Sequence, residues 1–388
     1  MTHNVCVVTG SRAEYGLLRQ LLFRLRDDHE IALQLVVTGS HLSDAFGNTQ
    51  SEIEKDGLNI CTRIAIPMEG DSKTDMAKAT GFAITAFADC FMKIHPKLLV
   101  VLGDRFEIFA AATAAAILGL PIAHISGGDV TEGVLDDTFR HCISKMSFLH
   151  FAGCQQSAKR IIQLGENPER VYNAGEPGVE NCFYISPLSL PNLQQHIAVD
   201  ITHKPYALVT FHAATKENQS PETQVGELIS ALEQFPDMSF LITKANADAG
   251  GRAINRIWDE LAGSHPNWQV IPSFGVRNYI SAMKYAQMMI GNSSSGIVEA
   301  PAMKLPTVNI GDRQKGRIMA ESVICCKPVA KEITRAMQTA LSPDFRAIAA
   351  NTVNPFGDGH TSERIFHVIK NHLINEPDDT VKEFYDLR

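Results

Sequence analysis

Val5-Cys6-Val7-Val8-Thr9-Gly10-Ser11-Arg12-Ala13-Glu14-Tyr15-Gly16 sets a pattern that the rest of the chain repeats. A short apolar, β-branched run meets a glycine, and a helix-patterned stretch, Glu14–Arg26, follows. The run is too short for a helix and does not alternate with polar residues, so it reads as a strand covered on both faces. The same unit recurs at Leu33–Thr38, Leu98–Leu102, Ile122–Ile125 and Leu149–Ala152. Helical patterns lie between these runs, over Asp75–Ile94, Phe106–Leu118, Asp136–Met146 and Gln155–Leu164. Apolar strands alternating with helices define the α/β class, with a doubly wound parallel sheet.

The rhythm breaks between Ile185 and Pro205, where Pro187, Pro191 and Pro205 fall among polar residues. It then restarts. Strand-like runs follow at Tyr206–Phe211, Ser239–Thr243, Gln269–Ile271, Met288–Ile290, Thr307–Ile310 and Val323–Cys325, with helical patterns such as Glu222–Gln234 and Ala253–Ala262 between them. Two consecutive doubly wound units are expected, residues 1–184 and 185–360. A helical tail, 361–388, is expected to pack back on the first unit. A chain of 388 residues agrees with two domains, at roughly 100–200 residues each.

Composition narrows the class. Hydrophobic content of 45% and charged content of 20% are ordinary for a globular protein. The net charge of −8 argues against a general nucleic-acid binder. Eight cysteines without a Cys-x-x-Cys pair suggest reduced thiols in a cytoplasm. The fourteen histidines form no His-Glu-x-x-His, so no zinc-type metal is expected. The start of the chain lacks a secretory pattern. The apolar stretch Ile108–Ile122 is too short and too alanine-rich to span a membrane.

Ligands of open α/β sheets bind at the carboxyl ends of strands, so the loops after strands deserve most weight. Six segments carry candidate chemistry there. Gly10–Gly16 offers close backbone approach, a following helix start and the fixed charge of Arg12, which together suit a diphosphate. Asp104 and Arg105 follow the strand Leu98–Leu102 and suit proton transfer beside a charged leaving group, although Asp104 is equally a helix cap. The segment His124-Ile125-Ser126-Gly127-Gly128-Asp129 leads to Glu132, Asp136, Arg140 and His141, and Asp136 and Arg140 share a helix face.

In the second half, His212 stands at a strand tip, where it can be acid, base or phosphate donor, or simply structural. Gly291-Asn292-Ser293-Ser294-Ser295-Gly296 places small hydroxyl residues at a helix start, a phosphate-binding arrangement, with Glu299 placed to take ribose hydroxyls. Gly311–Arg317 falls short of a P-loop because Arg317-Ile318 replaces the required Lys and Ser or Thr, which excludes an NTPase of that type. Arg313 and Arg317 remain candidates for anion contact.

Taken in order, these blocks resemble the UDP-N-acetylglucosamine 2-epimerase family, closest to its hydrolysing branch, over roughly residues 4–370. The blocks are Gly-Ser-Arg-Ala-Glu-Tyr-Gly at 10–16, Gly-Asp-Arg-Phe-Glu at 103–107, Gly-Gly-Asp-Val-Thr-Glu-Gly at 127–133, Gly-Asn-Ser-Ser-Ser-Gly-Ile-Val-Glu at 291–299 and Asn-Ile-Gly-Asp-Arg-Gln at 309–314. The resemblance implies a GT-B fold, two Rossmann-like doubly wound domains with the active site in the interdomain cleft. It implies a UDP-sugar substrate, no cofactor, no nucleic-acid or membrane partner, and a homo-oligomer, dimer or tetramer.

By position, the resemblance assigns Arg12, Arg105, Asn246, Tyr279, Ser293, Ser294, Glu299 and Arg313 to UDP or its pocket. It assigns catalysis to Asp104, Asp136 and His212. Many family members carry a catalytic glutamate two residues after the histidine of the third block. Here that place is Ser126, and the nearest acids in sequence are Asp129 and Glu132. The implied reaction is anti-elimination of UDP followed by hydration of a 2-acetamidoglucal. UDP-N-acetylglucosamine would thereby give N-acetylmannosamine and UDP, and the alternative substrate is UDP-2,4-diacetamido-2,4,6-trideoxyglucose. Further rivals are a non-hydrolysing epimerase, a GT-B glycosyltransferase and a non-catalytic UDP-sugar sensor.

Overall fold

A computed structural model describes residues 2–43, 48–67, 72–131, 135–201, 204–213, 220–245, 251–272, 274–375 and 381–387. The chain forms two compact units. One takes in residues up to Val130, the stretch ending at Glu180 and everything from Gly359 on; the other runs Asn181–Asp358.

The first unit holds strands β1 (His3–Thr9), β2 (Ile31–Thr38), β3 (Ile60–Ile64), β4 (Leu98–Leu102), β5 (Ile122–Gly127), β6 (Leu149–Ala152) and β7 (Val171–Asn173). They make one seven-stranded sheet in the order β3-β2-β1-β4-β5-β6-β7, with every pairing parallel. The unbroken apolar run of β1 follows from cover on both faces, because alternate side chains enter different cores. Val5 and Val7 pack with Leu18, Leu22 and Leu25 of the helix Arg12–Asp27. Cys6 and Val8 pack with Phe87, Phe91 and Ile108 on the other face.

The second unit repeats the design with β8 (Tyr206–Thr210), β9 (Ser239–Thr243), β10 (Trp268–Ile271), β11 (Met289–Gly291), β12 (Thr307–Ile310) and β13 (Val323–Cys326). Its six-stranded parallel sheet has the order β10-β9-β8-β11-β12-β13. Ala207 and Val209 face one core, Tyr206 and Leu208 the other.

Each order reverses once, between β1 and β4 in the first sheet and between β8 and β11 in the second. Such reversals open a crevice at the carboxyl ends of the strands, so each unit has one favoured place for a ligand.

Two differences from the sequence reading have local causes. β3 and β7 escape a periodicity search because they are edge strands of five and three residues with mostly half-exposed side chains. The stretch 185–205, where the rhythm breaks, contains the helix Leu190–Ile197 of the second unit. Ser189 caps it, Pro191 lies in its first turn and Leu193 is buried. Proline is at home there, since the first-turn N–H has no helical partner. The terminal helix Thr361–Asn375 belongs with the first unit, its Ile365, Ile369 and Leu373 sharing the core of the helix Arg12–Asp27. Arg24 Nε donates to Ser362 Oγ at 2.9 Å, and Lys370 lies 2.7 Å from Asp28.

Candidate active site

Charge gathers at the strand tips of the first unit. Beyond β1, Ser11 caps the helix Arg12–Asp27 by accepting from the Glu14 N–H. The Glu14 carboxylate turns back and accepts from the Gly10 N–H at 2.6 Å. Beyond β4, Glu107 is fully buried beside it and accepts from Arg105 Nε at 2.6 Å, with Glu14 3.8 Å from the same nitrogen. A Cβ on Gly10 would come within 2.6 Å of Glu107 Oε1, so only glycine lets the carboxylate lie there. Burial, then the Glu107 charge, raises the Glu14 pKa from 4.5 to about 8. One guanidinium thus serves two desolvated carboxyls, and one of the pair favours its protonated form.

Asp104, one residue before Arg105, faces a different cation. Arg140 is buried, donates from Nε to Asp104 Oδ2 at 2.7 Å and reaches the same oxygen through Nη2. Its Nη1 donates to the Asp129 carbonyl at 2.9 Å. Arg140 therefore turns toward the β4 tip, and along its own helix it also meets Asp137, at 3.5 Å. Asp136 lies exposed in the first turn of the helix Leu135–Met146.

His124 is buried, with Nε2 2.8 Å from the Gly103 carbonyl and Nδ1 3.1 Å from Ser144 Oγ. Burial lowers its pKa to about 3, so it is a neutral tie between the β4 and β5 tips. Asp129 is buried and accepts from Ser157 Oγ at 2.5 Å, which fixes its loop to the helix Gln155–Gln163. Ser126 holds a left-handed backbone, φ 62°, and donates to Glu176 Oε2 at 2.8 Å.

The tips of the second unit are poorer in charge. Gly291 adopts φ 135°, and a Cβ there would meet the Thr210 carbonyl at 1.9 Å. That contact lets β11 close on β8 and places Asn292. Asn292 Oδ1 accepts from the His212 N–H at 2.7 Å and its Nδ2 donates to the His212 carbonyl at 2.8 Å. Arg313 Nη1 and Gln314 Nε2 donate to the Asn292 carbonyl at 3.0 and 2.9 Å. His212 is buried, and desolvation, helped by Arg313, lowers its pKa to about 4, so it is neutral at pH 7.

Ser293 is partly buried and Ser294 exposed, ahead of a helix of one turn, Ser295–Val298. So short a helix carries little macrodipole. The donors for an anion are the local N–H and hydroxyl groups. Desolvation raises the pKa of Glu299 and lifts that of Tyr279 to about 12.

The structure thus gathers Asp104, Arg105, Asp129 and Asp136 at one sheet edge, and His212, Ser293, Ser294 and Arg313 at the other. Arg12 is exposed and pairs with Glu52 at 3.0 Å. Glu132 and Asn246 lie outside the described residues. Sequence reasoning missed Glu107, Arg140 as partner of Asp104, and Glu176. Glu107 lies in the first turn of the helix Phe106–Ile117 just after β4, and Glu176 in the glycine-containing loop after β7, a signal available for Glu107 but hidden for Glu176 by the shortness of β7.

Two parallel sheets with ionisable clusters at their reversal points define a two-unit α/β protein of Rossmann-like type. A sequence profile of the UDP-N-acetylglucosamine 2-epimerase family matches residues 24–370, and the chain belongs to that family. It is 37% identical over 385 residues to polysialic acid biosynthesis protein P7 of Escherichia coli, covering 99% of this chain and 97% of that one. It is 36% identical over 387 residues to the GDP/UDP-N,N'-diacetylbacillosamine 2-epimerase (hydrolyzing) of Campylobacter jejuni, covering 99% of each. The fold resembles that of the UDP-GlcNAc 2-epimerase of Neisseria meningitidis bound to UDP-GlcNAc, with a TM-score of 0.81 at 18% identity, over 95% of this chain and 100% of that one. Among the described residues no helix is long and apolar enough to cross a membrane.

Proposed function

We propose that the protein is a hydrolysing 2-epimerase of a UDP-2-acetamido sugar, releasing UDP and the C2-inverted free sugar. The observation that carries this reading is the Asp104–Arg140 pair at the first unit's sheet reversal. It holds a carboxylate in place beside the exposed guanidinium of Arg105. Elimination needs both parts: a positioned base for the weakly acidic C2 proton and positive charge where the diphosphate departs. In the second unit, Arg313, the Ser293–Ser294 donors and neutral His212 suit the holding of UDP, with Glu299 toward the ribose. Asp104 takes the C2 proton as UDP leaves. Water then adds at C1 of the glycal while C2 is protonated from the other face. The mechanism draws on no cofactor.

The Campylobacter relative's name favours a 2,4-diacetamido-2,4,6-trideoxy sugar as the substrate. UDP-N-acetylglucosamine is the second reading, favoured by the name of the matching family. The test is incubation of the protein with each UDP-sugar in D2O, followed by proton NMR. Free 2-epimer deuterated at C2, with UDP, is expected. A UDP-linked epimer would replace this reading with a non-hydrolysing epimerase, and an unchanged donor would revive the transferase and sensor readings.

A further inference from the structure

Inversion by elimination and hydration needs two proton-handling groups, because one side chain cannot serve both faces of C2. Asp104 supplies one, and Asp129, the acid nearest to Ser126 in sequence, is already engaged. Asp129 is buried with its carboxylate turned to Ser157. Glu132 lies outside the described residues.

A carboxylate from much further along the chain reaches the place instead. Glu176 follows β7 in the loop Ala174-Gly175-Glu176-Pro177, and its side chain crosses the tip of β6 to that of β5. There Oε2 accepts from Ser126 Oγ at 2.8 Å. The crossing is built into the backbone. A Cβ on Gly153, just after β6, would lie 1.8 Å from Glu176 Oε1, so that position is open only because it is glycine. Ser126 holds φ 62°, a conformation that costs a non-glycine residue on the order of 1 kcal/mol and persists where its surroundings impose it. The Glu176 main chain is anchored too, its carbonyl accepting from Thr361 Oγ1 at 3.3 Å. The carboxylate therefore reaches the β5 tip, one strand spacing, about 4.8 Å, from the strand that leads to Asp104. The His124 tie to Gly103 holds those two tips together.

We propose that Glu176, oriented by Ser126, is the second proton-handling group of the reaction, delivering the proton to C2 in the hydration step. The assignment rests on the function proposed above. The cycle begins with Asp104 ionised and Glu176 protonated. Asp104 takes the C2 proton, the C2–H electron pair becomes the C1=C2 bond, and the C1–O pair leaves with UDP. In the second step the π pair takes the proton of Glu176 on the opposite face of C2. Water bonds to C1 and releases its own proton to solvent. The enzyme is left with Asp104 protonated and Glu176 ionised, and exchange with water restores the starting state.

The test compares wild type with Glu176→Gln, Gly153→Ala and Ser126→Ala, in D2O on both UDP-sugars, with UDP affinity and melting temperature measured for each. In Glu176→Gln the yield of free 2-epimer should fall on the order of a hundredfold or more. UDP release should persist, and the 2-acetamidoglycal should accumulate. Gly153→Ala pushes the carboxylate aside without changing its chemistry. It should lower 2-epimer yield about tenfold with the same glycal signature, and UDP affinity should change less than about threefold. Ser126→Ala should lower kcat and leave KM near the wild-type value.

Wild-type turnover with Glu176→Gln within threefold of it would overturn the Glu176 assignment alone. So would loss of turnover in proportion to lost UDP binding and without glycal, the mark of a purely structural role. No turnover by the wild-type chain on either sugar would overturn the proposed function, and this assignment with it.

Discussion

The two sheet reversals are built alike and equipped differently. In the first unit the crevice between β1 and β4 holds Glu14, Glu107, Arg105, Asp104 and Arg140, joined in ion pairs, with both glutamates and Arg140 buried. In the second, the crevice between β8 and β11 is organised by an amide, Asn292, gripping the backbone of a neutral histidine. On the function proposed above, the contrast separates two tasks. Moving a proton requires a carboxylate held in place beside fixed charge. Holding a phosphate requires rigid donors whose own charges do not compete.

The sharpest way to break this comparison is Asp104→Asn. Turnover should drop about a hundredfold to ten-thousandfold, without release of UDP or glycal, while UDP affinity measured by calorimetry stays near wild type. Near-normal turnover would remove proton handling from the first unit. The variant should also melt lower, because the buried Arg140 loses its charged partner.

Next in size is Gly291→Ala, which tests the rigidity of the second crevice. With φ at 135° and a carbonyl 1.9 Å from the new Cβ, the cost should be about 3 kcal/mol or more in denaturant unfolding. UDP binding should weaken as Asn292 is displaced. An unaltered unfolding midpoint would show that β11 can move away from β8 without harm.

The buried pair in the first crevice should show itself in pH dependence. The Glu14 pKa is raised from 4.5 to about 8, so its contribution to stability is fully present below about 4.5 and is lost as the pH rises through about 8. Glu14→Gln should therefore gain on wild type as the pH rises from 5 to 9. The difference in melting temperature should move in its favour by roughly 3 °C or more. A constant difference would mean that Glu14 is ionised throughout.

Smallest is Arg313→Ala, expected to weaken UDP binding about tenfold, some 1.4 kcal/mol, with little effect on kcat. If kcat fell and UDP affinity held, Arg313 would act on the reacting sugar and the division of tasks between the units would need redrawing.

Much of the architecture was readable from the chain. Leu98–Leu102, Leu149–Ala152, Ser239–Thr243 and Thr307–Ile310 are strands with the bounds that their apolar runs predict. Strands covered on both faces are mostly apolar, and each of these short runs is followed by a glycine or a polar residue. The strand-tip rule then led to Asp104 and His212, which directly follow such a run or its glycine, and to Arg313, two residues past Gly311.

Pairings between distant tips were not readable. Asp104 meets Arg140 from 36 residues away and Ser126 meets Glu176 from 50, through an edge strand too short to show a pattern. Periodicity reports which face of an element is buried. It says nothing of which loop leans over which neighbour. The sequence by itself determined the two wound sheets, their glycine turns and the chemical types at the strand ends. Tertiary structure decided which charges are paired, which are desolvated and which carboxylate crosses to Ser126. Those depend on strand order and on the space left where Gly10, Gly153 and Gly291 have no side chain.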